Sequence, residues 1–529
     1  MGTATAPVPK RWNLRGIPVF QAEVPGRVRA ALCFRVGTAD EPLHMAGITH
    51  LIEHLALSGL GTQSFEYNGF VDNTVTAFLV TGTPDQVKLF FAHVTAALQA
   101  LPRERVAVER RIIETEAAGH RQSSFRGTLS LRYGASGFGA ADYRQIGMMW
   151  LTPEAVQTWA ARHFTAGNVA AWVAGPVIPG LHVDLPPGPR IPPPALVARS
   201  FPVPCVTEDG SLGATVSMVS PRSAALAAAM AILERRGMQR IRFTEGLSYG
   251  VQTNIEELDG RTVHALATTD ALPEHATKAA TALLDVADVL SLSGPDLTEL
   301  EFVNSAMEEG TSDPQSVIDE MQGMVRAELL GREPAPLEQR RKEIASLDSR
   351  MVAAALKVAL DTAIVIIPYE TQSPRPHYAP YARFYARPLK GRANPNAFGT
   401  GEQLVVGASG IAYCDPDRRA HNIPWPEVAV AARWDDGTRY LIARDGTEIL
   451  FRPRAWNNPQ LILAAIDTNT PRERVIQADT PSPSADMPAP PHPERSGSIA
   501  AGRAPILLVL AGLLIAAVAG LALLASLQR

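Results

Sequence analysis

Cysteine is nearly absent from this sequence: Cys33, Cys205 and Cys414 are the only three in 529 residues. Three scattered cysteines build neither a disulfide framework nor a Cys-x-x-Cys metal site, and their scarcity agrees with a reducing compartment. Basic charge is not in excess either. The 49 Lys and Arg stand against 53 Asp and Glu, so the net charge of −4 supplies no positive field to hold nucleic acid. Met1–Arg15 contains no long apolar run and gives no sign of a secretory signal peptide. Aromatic residues are sparse at 6%, yet hydrophobic residues reach 46%, enough to build several cores and to exclude wholesale disorder. The length predicts about three domains.

Two linkers divide the chain. The stretch PPGPRIPPP at 186–194 separates two long segments, and residues 478–503, rich in Pro, Ser and Ala, read as a flexible tether. Beyond the tether, residues 504–527 are uncharged and almost wholly Leu, Ala, Ile, Val and Gly. At about 1.5 Å per helical residue this run is long enough for the roughly 30 Å of bilayer hydrocarbon, and a C-terminal transmembrane helix is expected. With no export signal read at the other end, the bulk of the chain is expected on the cytoplasmic side.

The two long segments echo each other. Each opens with strand-like alternation, at 28–36 and again at 213–219. Each closes with an amphipathic pattern (LTPEAVQTWAARHF from Leu151, LDSRMVAAALKVAL from Leu347) followed by an apolar strand (AAWVA at 170–174, AIVII at 363–367). We read two related α+β domains, at 10–180 and 195–370. From 395 to 475 the texture shifts to short alternating runs with turns at DPD, DDG and RDG, then a helical stretch near Asn458. This predicts a small β-barrel-like domain, either an accessory module of no known type or one that resembles pleckstrin-homology-like domains.

The chemistry starts at His50. The segment GITHLIEHLALSG places His50, Glu53 and His54 in H-x-x-E-H spacing within a helical pattern. Residues i and i+4 share one helix face, with i+3 beside them. Two imidazoles one turn apart can hold one Zn2+ with room for water, and Glu53 lies where it can take a proton from that water. Two surface histidines on a helix are the plain alternative. The segment ERRIIETE at 109–116 continues in helical pattern and supplies a third candidate ligand, Glu116. Its rival, Glu114, falls on a different face from the stripe shared by Glu109 and Glu116.

H-x-x-E-H followed by E-R-x-I-I-x-x-E resembles the pitrilysin/insulinase family of inverted-motif zinc peptidases, of the half-length type akin to mitochondrial processing peptidases. The resemblance implies His50, His54 and Glu116 as zinc ligands, Glu53 as general base, and Glu109 as a supporting carboxylate. The interval of 66 residues from His50 to Glu116 is somewhat short for the family. Around Asn73, VDNTVTAF resembles the family's Asn-x-x-Thr edge strand, where substrate backbone pairs. The segment RFTEGLSYG resembles its R-x-x-x-G-L-x-Y signature, in which Arg242 and Tyr249 donate hydrogen bonds to the substrate carbonyl. A Gly turn with Tyr249 in the core is the alternative there.

The sequence is therefore read as a membrane-anchored zinc endopeptidase. It acts on peptides or unfolded segments inside a closed chamber, formed as a homodimer or with a related subunit. The alternatives are a catalytically inactive family member that helps to form such a chamber, and a membrane scaffold on a vestigial peptidase fold.

Overall fold

The structure is a computed structural model, and it describes residues 7–119, 127–143, 145–209, 213–311, 314–369, 371–381, 387–478 and 482. The first sheet contains β1 (Lys10–Leu14), β2 (Ile17–Ala22), β3 (Val28–Phe34), β4 (Glu66–Val71), β5 (Thr76–Gly82) and β6 (Val169–Ala174), in the order β1-β2-β6-β3-β5-β4. The second contains β7 (Cys205–Asp209), β8 (Thr215–Pro221), β9 (Ser248–Glu257), β10 (Thr262–Ala271), β11 (Ile364–Pro368) and β12 (Ala379–Pro380), in the order β12-β7-β11-β8-β10-β9.

Apart from the outermost strands β1 and β12, the two orders are the same. β2 and β6 pair in parallel, as β7 and β11 do, and the remaining pairs within each set of five are antiparallel. The echo in the sequence is thus a repeated topology of mixed α/β domains. β6 and β11, the apolar runs of the sequence, are central strands buried on both faces.

Alternation along β3 sorts its side chains between two layers. Val28, Ala30, Leu32 and Phe34 face a core that includes Ile48, Leu51, Phe90, Val94 and Phe164. This core is roofed by helices α1 (Ile48–Leu57), α2 (Pro84–Gln99), α3 (Val106–Gly119) and, past the short α4 (Thr128–Tyr133), α5 (Pro153–His163). Each buried Leu or Phe contributes roughly 1.5–3 kcal/mol. Ala31 and Cys33 point the other way, where the second half of the chain covers the sheet. The helix Pro314–Leu329 sets Val317, Met321, Val325 and Leu329, one residue per turn, against Phe20, Ala77 and Trp172. Arg326 of that helix pairs with Asp72. The two domains thereby share a core.

The third region departs from the expected barrel. It forms two four-stranded sheets: Arg392–Pro395, Gln403–Gly407, Gly410–Cys414 and Ala420–Pro424 make one meander, and Val428–Arg433, Arg439–Ala443, Glu448–Phe451 and Val475–Gln477 make the other sheet. Among the described residues no ladder joins the two. The chain turns through Trp425–Glu427 from one sheet into the other, so they face each other across Leu404, Ile411, Val428 and Leu441 instead of closing. The helix Pro459–Asn469 adds Ile462 and Ile466 to that core. Among the described residues no helix is long and apolar enough to cross a membrane. The span expected at 504–527 lies outside the described residues, as does the tether at 478–503 apart from Ala478 and Ser482.

Candidate active site

Helix α1 is fixed before it presents any chemistry. Its apolar face buries Ile48, Leu51, Ile52 and Leu55. Gly47 begins it with φ at +102°, a left-handed conformation that suits glycine. The buried Glu41 carboxylate accepts hydrogen bonds from the backbone N–H groups of Gly47 at 2.7 Å and Thr49 at 2.8 Å. These are donors that a helix start leaves unpaired. Burial pushes the Glu41 carboxyl up to about 7, against the pull of those donors. From α5, Trp159 Nε1 donates to Thr49 Oγ1 at 3.2 Å.

The opposite face of α1 carries His50, Glu53 and His54, whose ligand-type atoms lie within 4.8 Å of one another. Helix α3 adds a carboxylate. Glu116 Oε2 stands 3.5 Å from His54 Nε2 and 3.9 Å from His50 Nε2. Glu53 Oε2 is 3.8 Å from both Nε2 atoms. Glu109, two turns before Glu116, is buried with Oε2 3.4 Å from His54 Nδ1, and its other oxygen accepts from Arg105. Glu114 and Glu116 are both exposed on α3, but only Glu116 is among the charged partners of the two histidines. His120, the next histidine on, lies outside the described residues.

The electrostatics suit a cation. Burial, then the neighbouring Glu116 and Glu109, push the Glu53 carboxyl up to about 8. Burial, then His54, push His50 down to about 4, so its imidazole is neutral at pH 7 with a lone pair to give. Three carboxyl groups converge on two imidazoles, and Arg105 pairs only with the buried Glu109. Two nitrogen donors and one oxygen donor are one of the three-ligand sets that a catalytic zinc takes from protein.

Two neighbours of this cluster were not legible in the sequence. Gln145 Nε2 lies 2.7 Å from His50 Nδ1. Gly69, on β4, leaves space for the base: a Cβ there would sit 2.1 Å from Glu53 Oε1. Among the described residues β4 is an edge strand of its sheet, and it runs past Glu53.

Asn73 is not on that edge strand. It lies in the β4–β5 turn, where Asp72 Oδ1 accepts from the N–H groups of Thr74 and Val75, both at 2.7 Å. Its amide is engaged within the chain: Thr38 Oγ1 donates to Asn73 Oδ1 at 2.9 Å, and Nδ2 donates to Glu256 of β9. The asparagine on the edge strand is Asn68.

Arg242 and Tyr249 do come together. Arg242 lies in a π-helical turn, Met238–Thr244, and its guanidinium is 4.6 Å from the Tyr249 ring centre. Tyr249 is 75% exposed and therefore not a core residue. Tyr249 is the second residue of β9, and Glu256 near the far end of that strand meets Asn73. At about 3.3 Å per residue Tyr249 stands roughly 23 Å along the strand from that contact. Its ring and cation partners are Phe243 and each other, not the residues of the His50 cluster.

The sequence matches no family model and no curated protein. The fold does match solved structures. A protease from Helicobacter pylori superimposes with a TM-score of 0.57 at 11% identity, over 68% of this chain and 99% of that one. A peptidase M16 inactive domain from Pseudomonas fluorescens gives 0.56 at 16% identity, over 69% of this chain and 100% of that one. Pitrilysin gives 0.52 at 13% identity, over 70% of this chain and 46% of that one. The chain therefore carries the fold of M16, pitrilysin-like peptidases, a fold found in both proteases and an inactive domain.

Proposed function

We propose that this protein is a zinc-dependent endopeptidase. The observation that carries the proposal is the approach of Glu116 Oε2 to the Nε2 atoms of both His50 and His54, with the Glu53 carboxylate in the same cluster. His50, His54 and Glu116 would hold the ion. When bound, it would polarise the scissile carbonyl and acidify a water. Glu53 would take the proton of the attacking water and pass it to the leaving amine. Glu109, against His54 Nδ1, would orient that ring and fix its tautomer. An extended peptide would add to the edge strand β4, where Gly69 leaves the backbone close to Glu53.

Arg242 and Tyr249 supply donors suited to a carbonyl that gains negative charge. The pair's contacts are with Phe243 and each other and not with the His50 cluster, which favours an action across a subunit interface, in a homodimer or with a related chain. Membrane attachment is assigned to residues 504–527. A second reading, a non-catalytic chamber-forming subunit, is favoured by the likeness to an inactive M16 domain. The intact donor set supports the enzyme over it.

Metal analysis of the purified chain after exposure to zinc separates these readings. About one zinc per chain, lost on His50→Ala, is expected. No uptake would leave the non-catalytic reading.

A further inference from the structure

The third region of the chain has no part in the proposed chemistry, yet it packs on both segments that flank His50. Its second sheet presents Val430, Trp434 and Ile442 to a buried cluster. On the other side of that cluster lie Leu43 and Ala46, just before α1 begins, and Ala135 and Ala140. The backbone is stitched to the same place: Ala135 N–H donates to the carbonyl of Arg444 at 2.8 Å. The two segments pass so closely at Gly134 that a Cβ there would sit 2.3 Å from that carbonyl oxygen. Tyr143 and Ile146 pack against the cluster, and Gln145 lies between them in sequence. Gln145 reaches His50 Nδ1 at 2.7 Å, and its Cβ lies so close to Gly47 that any side chain there would collide with it.

We infer that Gln145 is a positioning residue for His50, and that the C-terminal β region holds Gln145 in place. The inference rests on the zinc reading above. For His50 Nε2 to act as a ligand, the ring proton must sit on Nδ1. A partner that accepts a hydrogen bond there fixes both tautomer and ring angle. The Gln145 amide can do this through Oε1, since its oxygen and nitrogen exchange places on a half-turn. The β region then belongs to the site's outer support: with Ser130 of α4, whose N–H donates to Asp142 at 2.6 Å, and the core around Met148 and Leu151, it anchors the irregular segment that carries Gln145.

The test uses the full chain with Zn2+ and Co2+ as probes. Zinc affinity is measured by competition with a chelator, and the visible absorption of bound Co2+ reports ligand geometry. Gln145→Ala should lower zinc affinity about 10–100-fold and alter the Co2+ spectrum while the melting midpoint stays within a few degrees. Gln145→Glu, which keeps an acceptor, should restore both. Trp434→Ala should weaken zinc binding in the same direction, and Ile442→Ala is the milder form should that variant not fold. Either change combined with Gln145→Ala should add nothing further, because both act through one contact.

Wild-type zinc affinity in Gln145→Ala, in a chain that binds zinc, would overturn this inference alone. Failure of Gln145→Glu to rescue would overturn the acceptor role. Full additivity of Trp434→Ala or Ile442→Ala with Gln145→Ala would overturn the link to the β region. A wild-type chain that takes up no zinc would overturn the zinc reading and this inference with it.

Discussion

Glu116 places one carboxylate oxygen 3.5 Å from His54 Nε2, although the two residues lie on different helices. The approach follows from helix periodicity. Glu109, Ile113 and Glu116 form one stripe of α3, in which Glu109 and Ile113 are buried and the exposed Glu116 reaches the histidines, whereas Glu114 lies off that stripe. Glu116→Gln is therefore expected to weaken zinc binding by more than the roughly 10–100-fold that an outer hydrogen-bond partner is worth. Glu114→Gln should leave it unchanged. Zinc retained after dialysis against a chelator measures both, and the reverse order would move the ligand to Glu114.

Stability should depend on pH through the contact between the domains. Burial first, then Asp72, pushes the Glu256 carboxyl up to about 7, although Asn73 donates to it. Between about pH 4.5 and 7 the folded chain therefore holds a proton that the unfolded chain has released. Its contribution is greatest below 4.5 and declines as pH rises through 7, by at most about 3 kcal/mol. Glu41, pushed the same way, adds the same sign, so the informative quantity is a difference. Glu256→Gln should flatten the fall in denaturation midpoint between pH 5 and 7.5. An unchanged slope would show that Glu256 titrates normally.

Much of this architecture was legible in the sequence because it depends on local periodicity. The H-x-x-E-H face of α1 needed only the 3.6-residue repeat, and the central strands β6 and β11 were visible as apolar runs. The parts missed depend on chain segments distant in sequence. Gln145 lies 95 residues from His50, in an irregular segment with no pattern to read. The helix Pro314–Leu329 shows its stripe of Val317, Met321, Val325 and Leu329, but not that the stripe covers the sheet of the other domain. Asn73 was assigned to a strand although Asp-Asn-Thr is a turn-forming run, and the Asp72 side chain closes that turn. The β region alternates as a barrel would; only the turn at Trp425–Glu427 separates it into two sheets.

We propose membrane attachment through residues 504–527 because they are the longest uncharged apolar run in the sequence. Removal of residues 503–529 should shift the protein from the membrane fraction to the soluble fraction with zinc content unchanged. Sedimentation of expressed full-length and shortened chains is the check. A shortened chain that still sediments with membranes would place the anchor elsewhere.

The central claim is that Glu53 acts as the base beside a zinc held by its neighbours. The direct measurement is cleavage of a quenched peptide library by Glu53→Gln, with zinc content determined on the same samples. The amide replaces the carboxylate at nearly equal volume and leaves His50, His54 and Glu116 in place. Zinc should stay at about one per chain while cleavage falls by roughly 10²–10⁴ or more. Cleavage at the wild-type rate with zinc still bound would contradict the account.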